Sequence, residues 1–261
     1  MYMQLFEKFY GVKPIGIIHV GAHLAEEYTD YQRFMISPGT SCIWIEPQPE
    51  KVVFLRELFA KKPQHKVIEA LAWSEDARDI TLNITNFSPA SSVFDLRPSR
   101  DFYPSIEVSS QIKLSTSRLE TILDVEDKFD FLVLDVQGAE LEVLKGLGRR
   151  LAEINWIFTE VSRKNDLYEG GVLYLEVKQY LENNGFKQKF VEWDRKTYSK
   201  QGDALFIRNE VWNQSPLLGA QRLILWIYRR IYQRIPTRLL PSLVRLKRIV
   251  RKNIYFLTRS R

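Results

Sequence analysis

One cysteine, Cys42, in 261 residues excludes an internal disulfide framework and a Cys-rich zinc site, and a lone thiol fits a reducing compartment. Hydrophobic residues at 45% and charged residues at 27% describe a globular chain long enough for one large core, or a core plus an appendage. No run approaches the roughly 18–20 unbroken apolar residues of a membrane span, and "MYMQLFEKFYG" has no basic region ahead of a long apolar run, so no signal peptide is expected. The net charge of +6 is unevenly spread: from Gln214 to Arg261 there are twelve Lys or Arg and no acid, which leaves residues 1–213 at about −6. An acidic body with a basic tail points to two functions, or to one function and one address.

In chain order, "IGIIHVGA" (15–22) reads as a buried strand ending in a small-residue turn, and "LAEEYTDYQRFMI" (24–36) has helical spacing. "SCIWIEP" (41–47) is a second strand, "EKVVFLRELFAKK" (50–62) an amphipathic helix and "HKVIEALAWS" (65–74) a third strand. "DITLNIT" (79–85) alternates as a half-buried strand does. "FDFLVLDV" (129–136) is an apolar run ending in an acid, followed by a helix at "AELEVLKGL" (139–147), and "INWIFTEV" (154–161) is another buried strand. "VLYLEVKQYLENNG" (172–185) is a helix with glycine at its C-cap. "FKQKFVEW" (186–193) and "DALFIRN" (203–209) form a closing hairpin whose strands must be antiparallel, because the loop between them has no room for a crossover helix. Strands alternating with helices predict an α/β fold, a doubly wound, mostly parallel sheet with one reversed strand, whose ligands bind at the carboxyl ends of the strands.

Those ends carry the candidate site. Gly21 and Ala22 let the backbone approach a ligand ahead of helical N–H groups, though the full G-x-G-x-x-G pattern is absent and a plain strand–helix turn is the competing reading. Glu46, at the end of "IWIE", can accept hydrogen bonds from both hydroxyls of a ribose; the alternative is an exposed strand-end acid. Trp73 either flanks an adenine or fills the core, with Ser74, Glu75 and Asp76 beyond it. Asp135 faces the ligand cleft or caps the following helix. Glu160 repeats the placement on the next strand. Three acids at successive strand ends suit a cationic ligand group or a metal better than a polyphosphate.

These stretches resemble a known family. "IHVGAH", "WIEPQP", "LAWSED", "SSVFDL", "LDVQGAELEVLKGL", "FTEVS" and "DALFIRN" stand in the order and spacing of FkbM-family methyltransferases, over roughly residues 12–210. The resemblance implies a class I, Rossmann-like methyltransferase with a seven-stranded sheet over 1–213, using S-adenosylmethionine. It implies that Gly21, Ala22 and His23 line the methionine side of the cofactor, that Glu46 holds its ribose and that Ala72 and Trp73 flank its adenine. Asp135 would lie near the sulfonium or the nucleophile, and Ser91 and Ser92 of "ASSVF" would belong to the substrate side. Gln137 stands where the family's D-V-E-G-A-E has Glu, and Ala25 where the family often has Gly.

Methyl transfer to a poor nucleophile such as a sugar hydroxyl is helped by a general base. The candidates are Asp135, His23, Glu160 and His19, the last also readable as a buried, hydrogen-bonded histidine; His65 is assigned no role. The expected acceptor is a hydroxyl of a sugar, glycan or lipid-linked saccharide, and the metal requirement is open. Two other classes are kept: a non-catalytic nucleoside- or partner-binding module, and a nicotinamide oxidoreductase, which the incomplete glycine fingerprint and the acidic rim disfavour.

In the tail, 219–235 and 241–257 are two helical stretches. In the second, Leu243, Leu246, Val250, Ile254 and Leu257 form one stripe among Arg245, Lys247, Arg248, Arg251 and Lys252, the pattern of a helix lying in an anionic membrane interface. Docking on the body or on a second subunit is the alternative. With no recognised nucleic-acid module, nucleic acid is not an expected partner. The tail suits a cytoplasmic protein held at the inner face of a membrane.

Overall fold

The computed structural model describes residues 2–35, 39–98, 103–165, 167–194 and 200–214, the side chains of Lys8 and Phe9 excepted. The basic tail, with both of its expected helices, lies outside the described residues. The elements are α1 (Tyr2–Tyr10), β1 (Gly16–Val20), α2 (Tyr28–Tyr31), β2 (Ser41–Glu46), α3 (Pro49–Phe59), β3 (His65–Glu69), β4 (Leu71–Ala72), β5 (Asp79–Thr85), β6 (Val108–Ser117), α4 (Leu119–Ile122), β7 (Phe131–Leu134), α5 (Glu140–Gly146), β8 (Trp156–Ser162), α6 (Tyr174–Asn183), β9 (Phe186–Trp193), β10 (Gln201–Arg208) and α7 (Asn209–Gln214).

Seven strands form the main sheet in the order β3-β2-β1-β7-β8-β10-β9. β1 pairs in parallel with β2 and with β7, β2 with β3 and β7 with β8. β10 is antiparallel to both β8 and β9, the expected reversed strand. This is the Rossmann-like class I α/β arrangement. The chain starts in the middle at β1, winds out to β3, then returns to β7 beside β1 and winds the other way. Strand order therefore reverses between β1 and β7, and the crevice at their carboxyl ends is the place such sheets reserve for ligands.

β1 and β7 are buried throughout, as strands covered on both faces must be. On one face Ile18, Val20, Ile43, Ile45, Leu132 and Leu134 pack with Val143 and Leu144 of α5 and with Val177 and Leu181 of α6. Each such side chain contributes about 1.5–3 kcal/mol when fully buried. The opposite register of the same strands carries rings: His19 and Tyr31 stack on Trp44, and Trp44 and His65 stack on Phe59. Elsewhere Phe6 of α1 meets Phe158 and Phe190 at centroid distances of 5.1 and 5.6 Å.

The structure departs from the sequence expectations in three places. The helix expected over 24–36 shrinks to α2, because residues 21–27 form a loop with His23 and Ala25 at φ 45° and 58°. The strand expected over 65–74 breaks at Ala70, whose N–H donates to Glu46 O at 3.2 Å. β3 stays in the main sheet, while β4 joins a second sheet of order β4-β6-β5. β5 thus belongs to that smaller sheet, paired with β6, a strand the sequence reading missed.

Candidate active site

The loop after β1 is built around Gly21. Its N–H and that of Ala22 donate to Ile45 O at 3.0 and 3.1 Å, and Asp135 N–H donates to Val20 O at 3.0 Å. Gly21 has φ 84°, and a Cβ placed there would lie 1.8 Å from Asp135 O. The turns after β1 and β7 therefore touch through backbone alone. Three non-glycine residues in these turns, His23, Ala25 and Gln137 (φ 51°), also take the left-handed conformation. Each costs on the order of 1–3 kcal/mol, strain of the kind that gathers at functional sites.

Glu46 closes β2 with 3% of its surface exposed. One carboxylate oxygen accepts from His23 N–H at 2.9 Å and the other from Gln48 N–H at 3.1 Å. Burial raises its pKa, and these two donors oppose the shift. The His23 ring bridges out of the loop, with Nδ1 2.6 Å from Glu26 Oε1 and Nε2 3.2 Å from Ser88 Oγ. Beside Glu46, Gln48 Oε1 and Lys51 Nζ are buried without a hydrogen-bond partner. Buried polar atoms of this kind are rare and call for an explanation.

Across β1, at the ends of β7 and β8, two acids meet through one amide. Gln137 Nε2 donates to Asp135 Oδ1 at 2.5 Å and to Glu160 Oε2 at 3.1 Å. Gln137 Oε1 accepts from the Tyr168 hydroxyl at 2.9 Å, and Ala90 O lies 2.8 Å from the same hydroxyl. Asp135 is open to solvent although protein surrounds it, whereas Glu160 is half-buried. Burial, then the charge of Asp135, pushes the Glu160 carboxyl well above its ordinary value. Burial also raises Asp135, with the Gln137 N–H pulling it back. Glu140, at the start of α5, accepts from Gly138 N–H at 3.1 Å and is pushed up to about 7 by burial. Asp203 of β10, facing Glu160 across the strand pair, is raised to about 6 by burial and then by Asp135. A small pocket beside Glu160 is lined by Gln137, Glu140, Glu160, Ser162, Asn165 and Tyr168.

Of the residues singled out in the sequence, Gly21, Ala22, His23, Glu46, Asp135 and Glu160 all gather at this carboxyl edge. Ala72 needs correction: it is 5% exposed and packed into the main hydrophobic core, so its side chain has no face left for an adenine. Trp73 is buried, its indole N–H without a partner. Ser92 is also corrected. It is 2% exposed and its hydroxyl donates to Gln137 O at 2.8 Å, so it supports the loop after β7 from below. Ser91 Oγ accepts from Thr85 N–H at 3.2 Å. His19 sits inside the ring stack with Tyr31 Oη 3.0 Å from its Nδ1, and burial lowers its pKa to about 4; it is the buried histidine, not a cleft base. His65 Nδ1 accepts from Trp44 Nε1 at 3.0 Å, a packing role. Among the described residues no cluster of three or more His, Cys, Asp or Glu is arranged to hold a metal ion.

Sequence reading missed Tyr168 and the two hydrogen bonds that the Gln137 amide gives to Asp135 and Glu160. The signal for Gln137 was its place two residues after Asp135 in a strand-end turn; Tyr168, in a loop of mixed composition, carried none.

No curated protein matches the chain. Among solved structures, the FkbM methyltransferase of Methylobacillus flagellatus KT is similar at 13% identity and TM-score 0.47, over 74% of this chain and 43% of that one. The chain thus spans less than half the length of that protein. A SAM-dependent methyltransferase from Aquifex aeolicus is similar at 16% identity and TM-score 0.42, over 78% and 88% of the two chains. The Burkholderia thailandensis 1,6-didemethyltoxoflavin-N1-methyltransferase is similar at 10% identity and TM-score 0.43, over 79% and 76%. The model of the methyltransferase FkbM domain matches residues 19–187, well over half of the sequence. The chain belongs to the FkbM methyltransferase domain family.

Proposed function

We propose that this chain transfers a methyl group from S-adenosylmethionine to a hydroxyl of a sugar, glycan or lipid-linked saccharide. The observation that carries the reading is Asp135: a solvent-open carboxylate at the point where strand order reverses, its turn in contact with the Gly21 turn and its side chain bonded to the Gln137 amide.

The residues present fit the cofactor. Glu46 offers carboxylate lone pairs to a ribose diol, and the partnerless Gln48 Oε1 and Lys51 Nζ beside it want a donor and an acceptor, both of which a nucleoside supplies. The acidic edge as a whole suits a positively charged sulfur. When bound, S-adenosylmethionine supplies an activated methyl group for in-line displacement. The chain then has to hold the acceptor oxygen in line and exclude water. Asp135 accepts the hydroxyl proton as the oxygen attacks, a step typically worth about 10²–10⁴ in rate.

Calorimetry with S-adenosylmethionine tests the cofactor assignment. Glu46→Ala removes charged acceptors worth about 1.5–3 kcal/mol per bond and is expected to weaken binding about 10- to 100-fold. Equal affinity of the two proteins would discredit the ribose role. A non-catalytic module is the second reading, favoured by Gln137 occupying both carboxylates. Turnover of methyl-labelled cofactor over a glycan panel separates the two.

For residues 214–261 we infer attachment to an anionic membrane surface, which would place a lipid-linked acceptor within reach. Each cation near such a surface contributes about 1 kcal/mol. In flotation with anionic liposomes the full chain should rise with the lipid and a 1–213 truncation should stay behind; equal partition removes the reading.

A further inference from the structure

Two carboxylates side by side repel, and they are ordinarily held together by a cation or a shared proton. Asp135 and Glu160 are instead joined by a neutral side chain. The amide nitrogen of Gln137 gives one hydrogen to each acid, and its oxygen is held by the Tyr168 hydroxyl. Every polar atom of that amide is used, which also fixes which end is nitrogen: only the NH₂ can face two acceptors. Its backbone is pinned as well, through Ser92 Oγ on Gln137 O, at a left-handed φ of 51°. A side chain locked at both ends, in a strained turn, between two acids, is built to organise them.

We propose that Gln137 is a positioning residue whose amide clamps Asp135 and Glu160 to each other, fixing Asp135 as the open member of the pair and Glu160 as its inner partner. The bonds are unequal, 2.5 Å to Asp135 and 3.1 Å to Glu160. The closer donor favours charge on Asp135, which solvent also reaches. Glu160 faces the acids Asp135, Glu140 and Asp203, whose charge favours its protonated form. Asp135 faces His19, His23 and Glu27 besides the Gln137 amide. Asp135, the open member of the pair, is then the one placed to take a proton from an acceptor. Glutamate at 137 would instead set a third carboxylate between Asp135 of the turn and Glu160 of β8, a cluster that favours a divalent cation.

This deepens the reading of Asp135 as base, but its test needs neither cofactor nor acceptor, so the methyl-transfer reading can fail while this survives, and the reverse. Mn²⁺ binding by the full-length wild type and Gln137→Glu is measured by calorimetry at neutral pH, with thermal melts in chelator and in Mn²⁺. Gln137→Glu is expected to bind Mn²⁺ at least about 100-fold more tightly than wild type, because affinity at oxygen sites follows ligand charge. Folding of that variant only when Mn²⁺ is present counts as the same result. Carboxyl titrations of Asp135 and Glu160 followed by carbon NMR supply the second measurement: in Gln137→Met the Asp135 titration should move upward, towards that of Glu160. Tight Mn²⁺ binding by the wild type, no gain in Gln137→Glu, or unmoved titrations in Gln137→Met would each overturn the proposal. Failure of Gln137→Glu to fold in either buffer would do so too, since the amide would then be only a strut.

Discussion

Asp135→Asn is expected to lower kcat by about 10²–10⁴ while leaving S-adenosylmethionine affinity within a few fold, the split produced by removing a proton acceptor and keeping its shape. The substitution is nearly isosteric, and the backbone that joins the turn after β7 to β1, Asp135 N–H on Val20 O, is unaffected. The measurement is single-turnover methyl transfer to whichever hydroxyl acceptor the glycan panel identifies, beside calorimetry with the cofactor alone. Near-wild-type turnover in Asp135→Asn would end the assignment of this residue as base. Loss of cofactor binding in step with activity would reassign it to holding the cofactor.

Gly21→Val is expected to be among the costliest single changes in the body of the protein. The residue sits at φ 84°, which a β-branched side chain avoids, and any Cβ would lie 1.8 Å from Asp135 O. That oxygen is backbone, so the clash is relieved only by parting β1 from β7 at the point where the ligand crevice opens. Strain and lost pairing together should destabilise the fold by about 3–5 kcal/mol, which for a chain of this size lowers the melting temperature by roughly 6–20 °C. Thermal melting by circular dichroism checks it, and a variant melting within 2 °C or so of wild type would show that the two turns do not hold each other as the structure has them.

Both expectations concern strand ends, and the strand ends were the most readable part of the chain. An apolar run closed by Gly21, another by Glu46 and a third by Asp135 were visible because a strand buried on both faces is written as a continuous apolar word, and its end as the first polar or glycine letter. The 24–36 segment misled for a related reason. Its helical spacing is real, but the first half is diverted by backbone at positive φ and by Glu26 Oε2 accepting from Leu24 N–H at 3.2 Å. β6 escaped notice because most of its residues are exposed and only Ile112 and Leu114 mark its inner face. The pairing with β5 that makes it a strand is invisible in either segment alone.

What the order of residues determined by itself was the alternation of strand and helix, the single reversed strand at the end, and the fact that Gly21, Glu46, Asp135 and Glu160 share one edge of the sheet. Burial period is a local property, and right-handed crossovers then carry every parallel strand's carboxyl end to the same side. What only the tertiary structure decided was which of those groups act on one another. That Gln137 spans Asp135 and Glu160, that Tyr168 holds the far end of the amide, and that Ser92 and Ala72 face inward all depend on side-chain direction in loops whose conformation is set by distant segments packing against them. A hydrogen bond between residues far apart in the chain leaves no periodic trace in the sequence, because the contact is bought by the fold as a whole and not by the neighbours of either partner.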